Sequence, residues 1–184
     1  MTDNFAIDVD TIGNLKPLNQ VVFGLGSNMG DSIAILQEAV NRLAATPNLI
    51  LVDISSVYRT KPVGYANQDD FYNIVVIADS TLEPMTLLDR AQAIEQSLGR
   101  VRDPELPNGP RTIDIDLIQV GKRNSDTKEL ALPHPRAHER AFVLVPWLEI
   151  EPRAQLPQGS VAGLLADIDV TGVQRVEGVD IVKP

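Results

Sequence analysis

Apolar residues along this chain recur with two different periods, and the switches between them mark out its elements. The run Gln20-Val21-Val22-Phe23-Gly24-Leu25-Gly26 predicts a short buried strand that closes in a glycine turn. From Asp31 the period lengthens, and Ile33, Leu36, Val40 and Leu43 recur at helical spacing as far as Thr46-Pro47-Asn48, with Asp31 as N-cap. Ile50 to Tyr58 and Phe71 to Ala78 are rich in β-branched and apolar residues and predict strands, with Arg59 to Asp70 as the loop between them. A second helix opens at Pro84, presents Leu87, Ala91, Ile94 and Leu98 on one side and stops at Gly99. Thr112 to Val120 predicts another strand. A basic loop follows, then a strand-like run from Ala141 to Pro146 and a short helix from Val161 to Ile168.

The resulting order is β-α-β-β-α-β, the split unit of ferredoxin-like α+β folds, in which an antiparallel sheet carries helices on one face; here it gains C-terminal additions. A chain of 184 residues suits one core. We assign residues 20–170 to a single domain, 1–19 to an N-terminal extension with Ile7, Val9, Ile12 and Leu15 as candidate contacts, and 171–184 to a C-terminal tail.

Composition narrows the chemistry. The absence of cysteine removes disulfides, thiolate metal sites and a thiol nucleophile. No apolar run approaches the roughly 20 residues needed to span a bilayer, and Met1 to Asp10 is acidic rather than signal-like, so a cytoplasmic location with no membrane partner is expected. A net charge of −9 argues against a nucleic-acid partner. The charge is uneven, however. Residues 100–140 hold eight of the sixteen Lys and Arg against seven acids, so this stretch carries +1 and the remainder −10. Arginines grouped beside acids suit a small polyanion together with its cation.

The acids in question are Asp114 and Asp116, in Gly109-Pro110-Arg111-Thr112-Ile113-Asp114-Ile115-Asp116. Strand alternation turns both carboxylates to one face, about 6 to 7 Å apart, and Ile113, Ile115 and Leu117 to the other. Two carboxylates with a neighbouring Arg111 fit Mg2+ and phosphate; alone, they would equally suit the polar face of a half-buried strand. His134 and His138 stand at i, i+4, but Pro135 interrupts the helix that metal ligation would need, which leaves His134 as a phosphate donor. Phe71 and Asn73 share one strand face, where a ring can stack on a flat ligand and an amide can read its edge. Gly24-Leu25-Gly26-Ser27-Asn28-Met29-Gly30 lacks the spacing of a dinucleotide fingerprint, and no phosphate-binding Gly-x-x-x-x-Gly-Lys loop occurs. Its glycines read as a tight turn, with close approach of a ligand as the alternative.

Together these segments resemble the 6-hydroxymethyl-7,8-dihydropterin pyrophosphokinases of folate biosynthesis. The resemblance runs in order through Gly24-Leu25-Gly26-Ser27-Asn28, Ser56-Val57-Tyr58-Arg59-Thr60, Phe71-Tyr72-Asn73, Glu95 with Gly99-Arg100-Val101-Arg102, the Gly-Pro-Arg-x-x-Asp-x-Asp signature, Leu132-Pro133-His134-Pro135 and Glu139-Arg140-Ala141-Phe142. It implies transfer of a pyrophosphoryl group from ATP to the pterin hydroxyl, with release of AMP. It also implies two Mg2+ ions on Asp114 and Asp116, catalytic roles for these and for Arg100 and Arg111, and a nucleotide site of Glu95, Arg100, Arg102, Arg111, Leu117, His134 and Arg140. Thr60, Val63, Phe71, Asn73 and Phe142 would line the pterin pocket. Three positions depart from relatives: Asn108 stands where some carry a tryptophan, Lys61 replaces a proline and Pro135 a tyrosine. A monomer acting on small molecules is expected. The alternatives are a module that binds nucleotide or pterin without turnover, and a subunit docked on another folate enzyme.

Overall fold

The computed structural model describes residues 15–184. Ile7, Val9 and Ile12 therefore lie outside the described residues, and Leu15 is exposed. In chain order the principal elements are β1 (Asn19–Ser27), α1 (Ser32–Ala44), β2 (Leu49–Ile54), β3 (Tyr58–Thr60), β4 (Phe71–Ser80), α2 (Pro84–Ser97) and β5 (Asp114–Val120). The small hairpin β6 (Ser125–Asp126) and β7 (Ala131–Leu132) comes next, then α3 (Ala141–Ile150), β8 (Gln155–Leu156), β9 (Gly159–Ser160), α4 (Val161–Ala166) and β10 (Val173–Arg175).

β1 is the central strand. It pairs antiparallel with β4 along its whole length and with β5 on its other side. β2 and β3 are successive segments on the far edge of β4, so the row of strands is β5, β1, β4, then β2 and β3, as a ferredoxin-like unit requires. The predicted strand from Ile50 to Tyr58 is thus two strands, broken at residues 55–57. The caps follow the sequence: Asp31 accepts a hydrogen bond from the Ala34 N–H at 3.1 Å, and Gly99 takes φ +83°, a left-handed conformation open to glycine.

The two helices of the split unit lie on one face, as expected, and the C-terminal additions cover the other. On the first, Val21, Phe23, Leu25, Ile74, Val76, Ile115 and Leu117 pack against Leu36, Val40 and Leu43 of α1 and Leu87, Ala91 and Ile94 of α2. On the second, Val22, Val75, Ile77 and Ile118 meet Val143, Leu144 and Trp147 of α3 and Val161 of α4. α3 is the stretch whose start, Ala141 to Pro146, reads as a strand. An unbroken apolar run fits a buried helix as well as a strand, and this one packs Val143, Leu144 and Trp147 on one side at helical spacing. Alternation along β5 sends Leu117 to the first core and Ile118 to the second, and a bulge opposite Val22 and Phe23 returns Val120 to the first.

The glycines of β1 also differ from expectation. Gly24 and Gly26 lie inside the strand rather than in a turn. A Cβ at Gly26 would sit 2.6 Å from Asn73 Oδ1, and one at Gly24 would meet Ile118 and Val143. Their role is clearance on the second face.

Residues 171–184, read as a tail, are built into the fold. β10 pairs with β3, and the Val176 N–H donates to the Val57 carbonyl at 2.9 Å. The Gln37 side chain exchanges two 2.8 Å hydrogen bonds with the backbone of Val182, while Ile181 is buried in the first core. Ile181→Ala should lower the unfolding free energy by about 2 kcal/mol in urea denaturation, and deletion of residues 173–184 by more. An unchanged midpoint for the shortened chain would contradict this.

Candidate active site

The second face of the sheet is open beyond the N-terminal end of α3, and the chemistry gathers there. Register explains why. Gly26 lies opposite both Asn73 and Asp114, and Gly24 opposite Asp116, so residues without side chains leave space between the carboxylates of β5 and the polar groups of β4.

Glu95 anchors the cluster. It sits on the last turns of α2 with only 3% of its surface exposed, and a charge so placed must be paired. One carboxylate oxygen accepts from the Ile115 N–H at 3.2 Å and from Arg100, while the other lies 3.5 Å from Arg102 Nη2. Arg100 also reaches Asp114 Oδ1 at 2.6 Å, and Arg111 holds Asp114 Oδ2 at 3.1 Å. Arg140, just ahead of α3, stands 3.7 Å from Asp116. Four arginines thus surround three carboxylates, a surplus of one positive charge. Next to them Gln92, Glu95, Gln96, Arg100 and Arg102 line a cavity of about 300 Å³.

Electrostatics distinguishes the two aspartates. Burial and then the charge of Asp114 push the Asp116 carboxyl up to about 7, against the pull of Arg140, Arg111 and Arg100. Two like charges so disposed favour a bridging cation. His134 is pushed down to about 4, by burial first and by Arg140 second, and is therefore neutral at pH 7. Its Nδ1 accepts from the Arg136 N–H at 3.1 Å, so the remaining proton is on Nε2, as a donor requires. His138 belongs to a separate 3-10 turn (Ala137–Glu139) and shares no helical face with His134.

The second group is smaller and less charged. Asn73 and Thr60 are buried and joined by a 2.6 Å hydrogen bond from Asn73 Nδ2 to Thr60 Oγ1. Phe71 pairs with Thr60 across β4 and β3, and the Arg111 guanidinium lies 5.5 Å from the centre of its ring. Arg140 stands over Phe142 at 5.6 Å. Each ring therefore touches the arginine cluster, and the flat-ligand patch and the anion-binding patch are neighbours.

Two of the expected residues stand apart. Val63 is exposed on the loop 61–70, and the Leu117 side chain is in the first core, 4% exposed and turned from the site. Asn28 is missing from the sequence-derived set, although it lies in a quoted motif. It accepts from the Arg111 N–H at 2.9 Å, and its amide donates to Gln68 Oε1 and to the Asp69 carbonyl. Gln68 in turn donates to the Asn108 carbonyl at 2.8 Å, so one amide ties together the loops that border the site. Gln92 could have been found from its place one helical turn before Glu95.

Comparison with known proteins bears on this arrangement. The family model described as 7,8-dihydro-6-hydroxymethylpterin-pyrophosphokinase (HPPK) matches residues 22–152. A Methylorubrum extorquens protein named 2-amino-4-hydroxy-6-hydroxymethyldihydropteridine pyrophosphokinase is 44% identical over 87% of this chain and 100% of its own length. A Bacillus subtilis protein of the same name is 42% identical over 72% of this chain and 79% of its own. Among solved structures, Plasmodium falciparum HPPK-DHPS with pteroate superposes with a TM-score of 0.67 at 14% identity, over 93% of this chain and 50% of that one. The likeness there is of fold, and this chain spans about half the length of that two-part protein. The family match takes in β1 from Val22 onward, both ion-paired aspartates, the arginines around them and the whole of α3, and the chain belongs to the 7,8-dihydro-6-hydroxymethylpterin-pyrophosphokinase family.

Proposed function

We propose that this chain transfers the pyrophosphoryl group of ATP to the hydroxymethyl oxygen of 6-hydroxymethyl-7,8-dihydropterin in folate biosynthesis, acting as a cytoplasmic monomer. The observation that carries the reading is the contact of Arg111 with both Asp114 and the Phe71 ring, which sets an anion-binding cluster against a flat-ligand patch. The hydroxyl attacks the β-phosphorus in line, the bond from that phosphorus to the bridging α-β oxygen breaks, AMP leaves and the hydroxyl proton goes to solvent. Catalysis of this kind is chiefly positioning and charge neutralisation.

Each residue has a part in that scheme. Arg100, Arg102, Arg111 and Arg140 bind phosphate oxygens, and neutral His134 donates from Nε2. Glu95, too buried to leave its partners, keeps Arg100 and Arg102 aimed at the cavity beside α2. Asn73 and Thr60 read the polar edge of the pterin, with Phe71 and Phe142 against its faces. Val63 contributes from its loop, and Leu117 through its main chain only, since its side chain faces the core. Asp114 and Asp116 fit Mg2+, because two carboxylates share one face and Asp116 is hard to ionise without a cation; two ions are expected. When bound, the metal would neutralise phosphate charge and favour ionisation of the hydroxyl. Arg100 and Arg111 then exchange Asp114 for phosphate oxygens.

Several relatives are joined to further enzymes, among them the bifunctional protein FolKE of Lactococcus lactis, 40% identical over 68% of this chain and 36% of its own length. Among the described residues no helix is long and apolar enough to cross a membrane.

AMP release should require ATP, Mg2+ and the pterin together, and Asp116→Ala should reduce turnover by at least about 100-fold. Binding of both substrates without AMP would instead favour a non-catalytic module. A second expectation concerns stability. Burial and the nearby Asp114 charge push the Asp116 carboxyl up to about 7 in the fold from 3.8 ordinarily, so the folded state keeps a proton that the unfolded chain has lost. Stability therefore declines as pH rises between those values, and the penalty is complete above the upper one. Asp116→Asn should raise the melting temperature of the ligand-free protein, more at pH 8 than at pH 5, while abolishing turnover. Equal shifts at the two pH values would contradict this account.

A further inference from the structure

We propose that Tyr58 and Glu149 are positioning residues that fix α3 against β3 and thereby set the Phe142 ring over the pterin patch. Neither belongs to the arginine cluster. Tyr58 is 9% exposed, and its hydroxyl donates to one oxygen of Glu149, while the other oxygen accepts from the Ser56 N–H at 2.7 Å. Both carboxylate oxygens are thus tied to the chain at and just before β3. Burial, and next the hydrogen bond to Glu149, push the Tyr58 hydroxyl up to about 12, so it stays a donor throughout the working range.

The location of this pair gives it leverage. Tyr58 lies opposite Asn73 and Thr60 opposite Phe71 in the antiparallel register, so the anchoring strand carries Thr60 and pairs with the strand that carries Phe71 and Asn73. Tyr58 and Thr60, two residues apart, point to the same side. On α3, Glu149 follows Phe142 by seven residues, about two turns, and faces the same way. A shift of the helix along or about its axis would carry Phe142 with it.

Among the described residues the other directional tie of α3 to the sheet is the Arg140–Asp116 ion pair at its N-cap. The contacts of Val143, Leu144 and Trp147 are apolar, and apolar burial is not directional. The N-cap, Arg140, makes no side-chain capping bond. A carboxylate held by a hydroxyl and an amide is directional, and Glu149 makes both bonds although the residue is otherwise exposed. Arg140 keeps its own partner in Asp116, so the effect of releasing α3 falls on the pterin side.

This inference rests on the proposed reaction, and the test separates the two. Tyr58→Phe, which keeps the ring, Glu149→Gln, and the double variant would be compared with wild type. The measurements are pterin Kd by fluorescence, KM for both substrates, kcat and thermal melting, all well below the melting temperature. Tyr58→Phe should raise pterin Kd and KM about tenfold, a loss in keeping with a misplacement of under an ångström. The KM for ATP should stay within about twofold, and the double variant should be no worse than Tyr58→Phe alone, as expected of groups that act through one contact. Unchanged pterin constants in both single variants would overturn the proposal. So would a parallel decline of pterin and ATP constants that follows the fall in melting temperature. Absence of pterin-dependent AMP from wild type would overturn the reaction instead, and the fluorescence Kd would still decide the role of the pair.

Discussion

A carboxylate shut away from water has to be neutralised where it stands, and Glu95 imposes that condition on everything around it. Buried at the end of α2, it accepts the Ile115 N–H and both Arg100 and Arg102. The first of these bonds fixes the β5 backbone between the two aspartates. The arginines are then held with their remaining donors pointing outward, Arg100 toward Asp114. Removing Arg100, whose own side chain is largely buried, would leave Glu95 with only the Ile115 N–H and the exposed Arg102, a costly shortfall for a buried charge. The cluster is thus buried at its base and more open at its rim, where, in the proposed reaction, Asp114 gives way to an incoming anion.

That arrangement also explains why a chain of net charge −9 can receive a polyanion. The arginine surplus is local, and the carboxylates inside it serve two states. Before ligand arrives they hold the arginines apart and in place. In the proposed reaction they are afterwards free to meet a cation. Preorganisation of this kind lowers the reorganisation required on binding.

Much of this was legible in the sequence because it depends on short-range pattern. Alternation put Asp114 and Asp116 on one face, helical spacing outlined α1 and α2, and Asp31 and Gly99 marked their ends. What was not legible depended on partners remote in the chain. Residues 141–146 are apolar on every side, and only the second core, with Val75 and Ile118 beneath it, makes them a helix. Gly24 and Gly26 look like a turn until register sets Gly26 beside Asn73 and Asp114. The last residues lack periodicity because three residues of β10, one amide pair on Gln37 and one buried side chain, Ile181, are enough to hold them. Leu117 was assigned to the nucleotide by resemblance, yet alternation alone points it inward with Ile115.

The path of α3 across the second face has a consequence for the birth of the protein. The sheet needs β1 to wait for β4 and β5, roughly fifty and ninety residues further along, and such distant pairings make folding slow. The pocket needs still more, since Arg140 and Phe142 arrive only when the stretch after β5 has been made. A nascent chain on the ribosome therefore carries Asp114 and Asp116 through roughly 25 further residues of synthesis before Ala141 opens the helix that completes their enclosure.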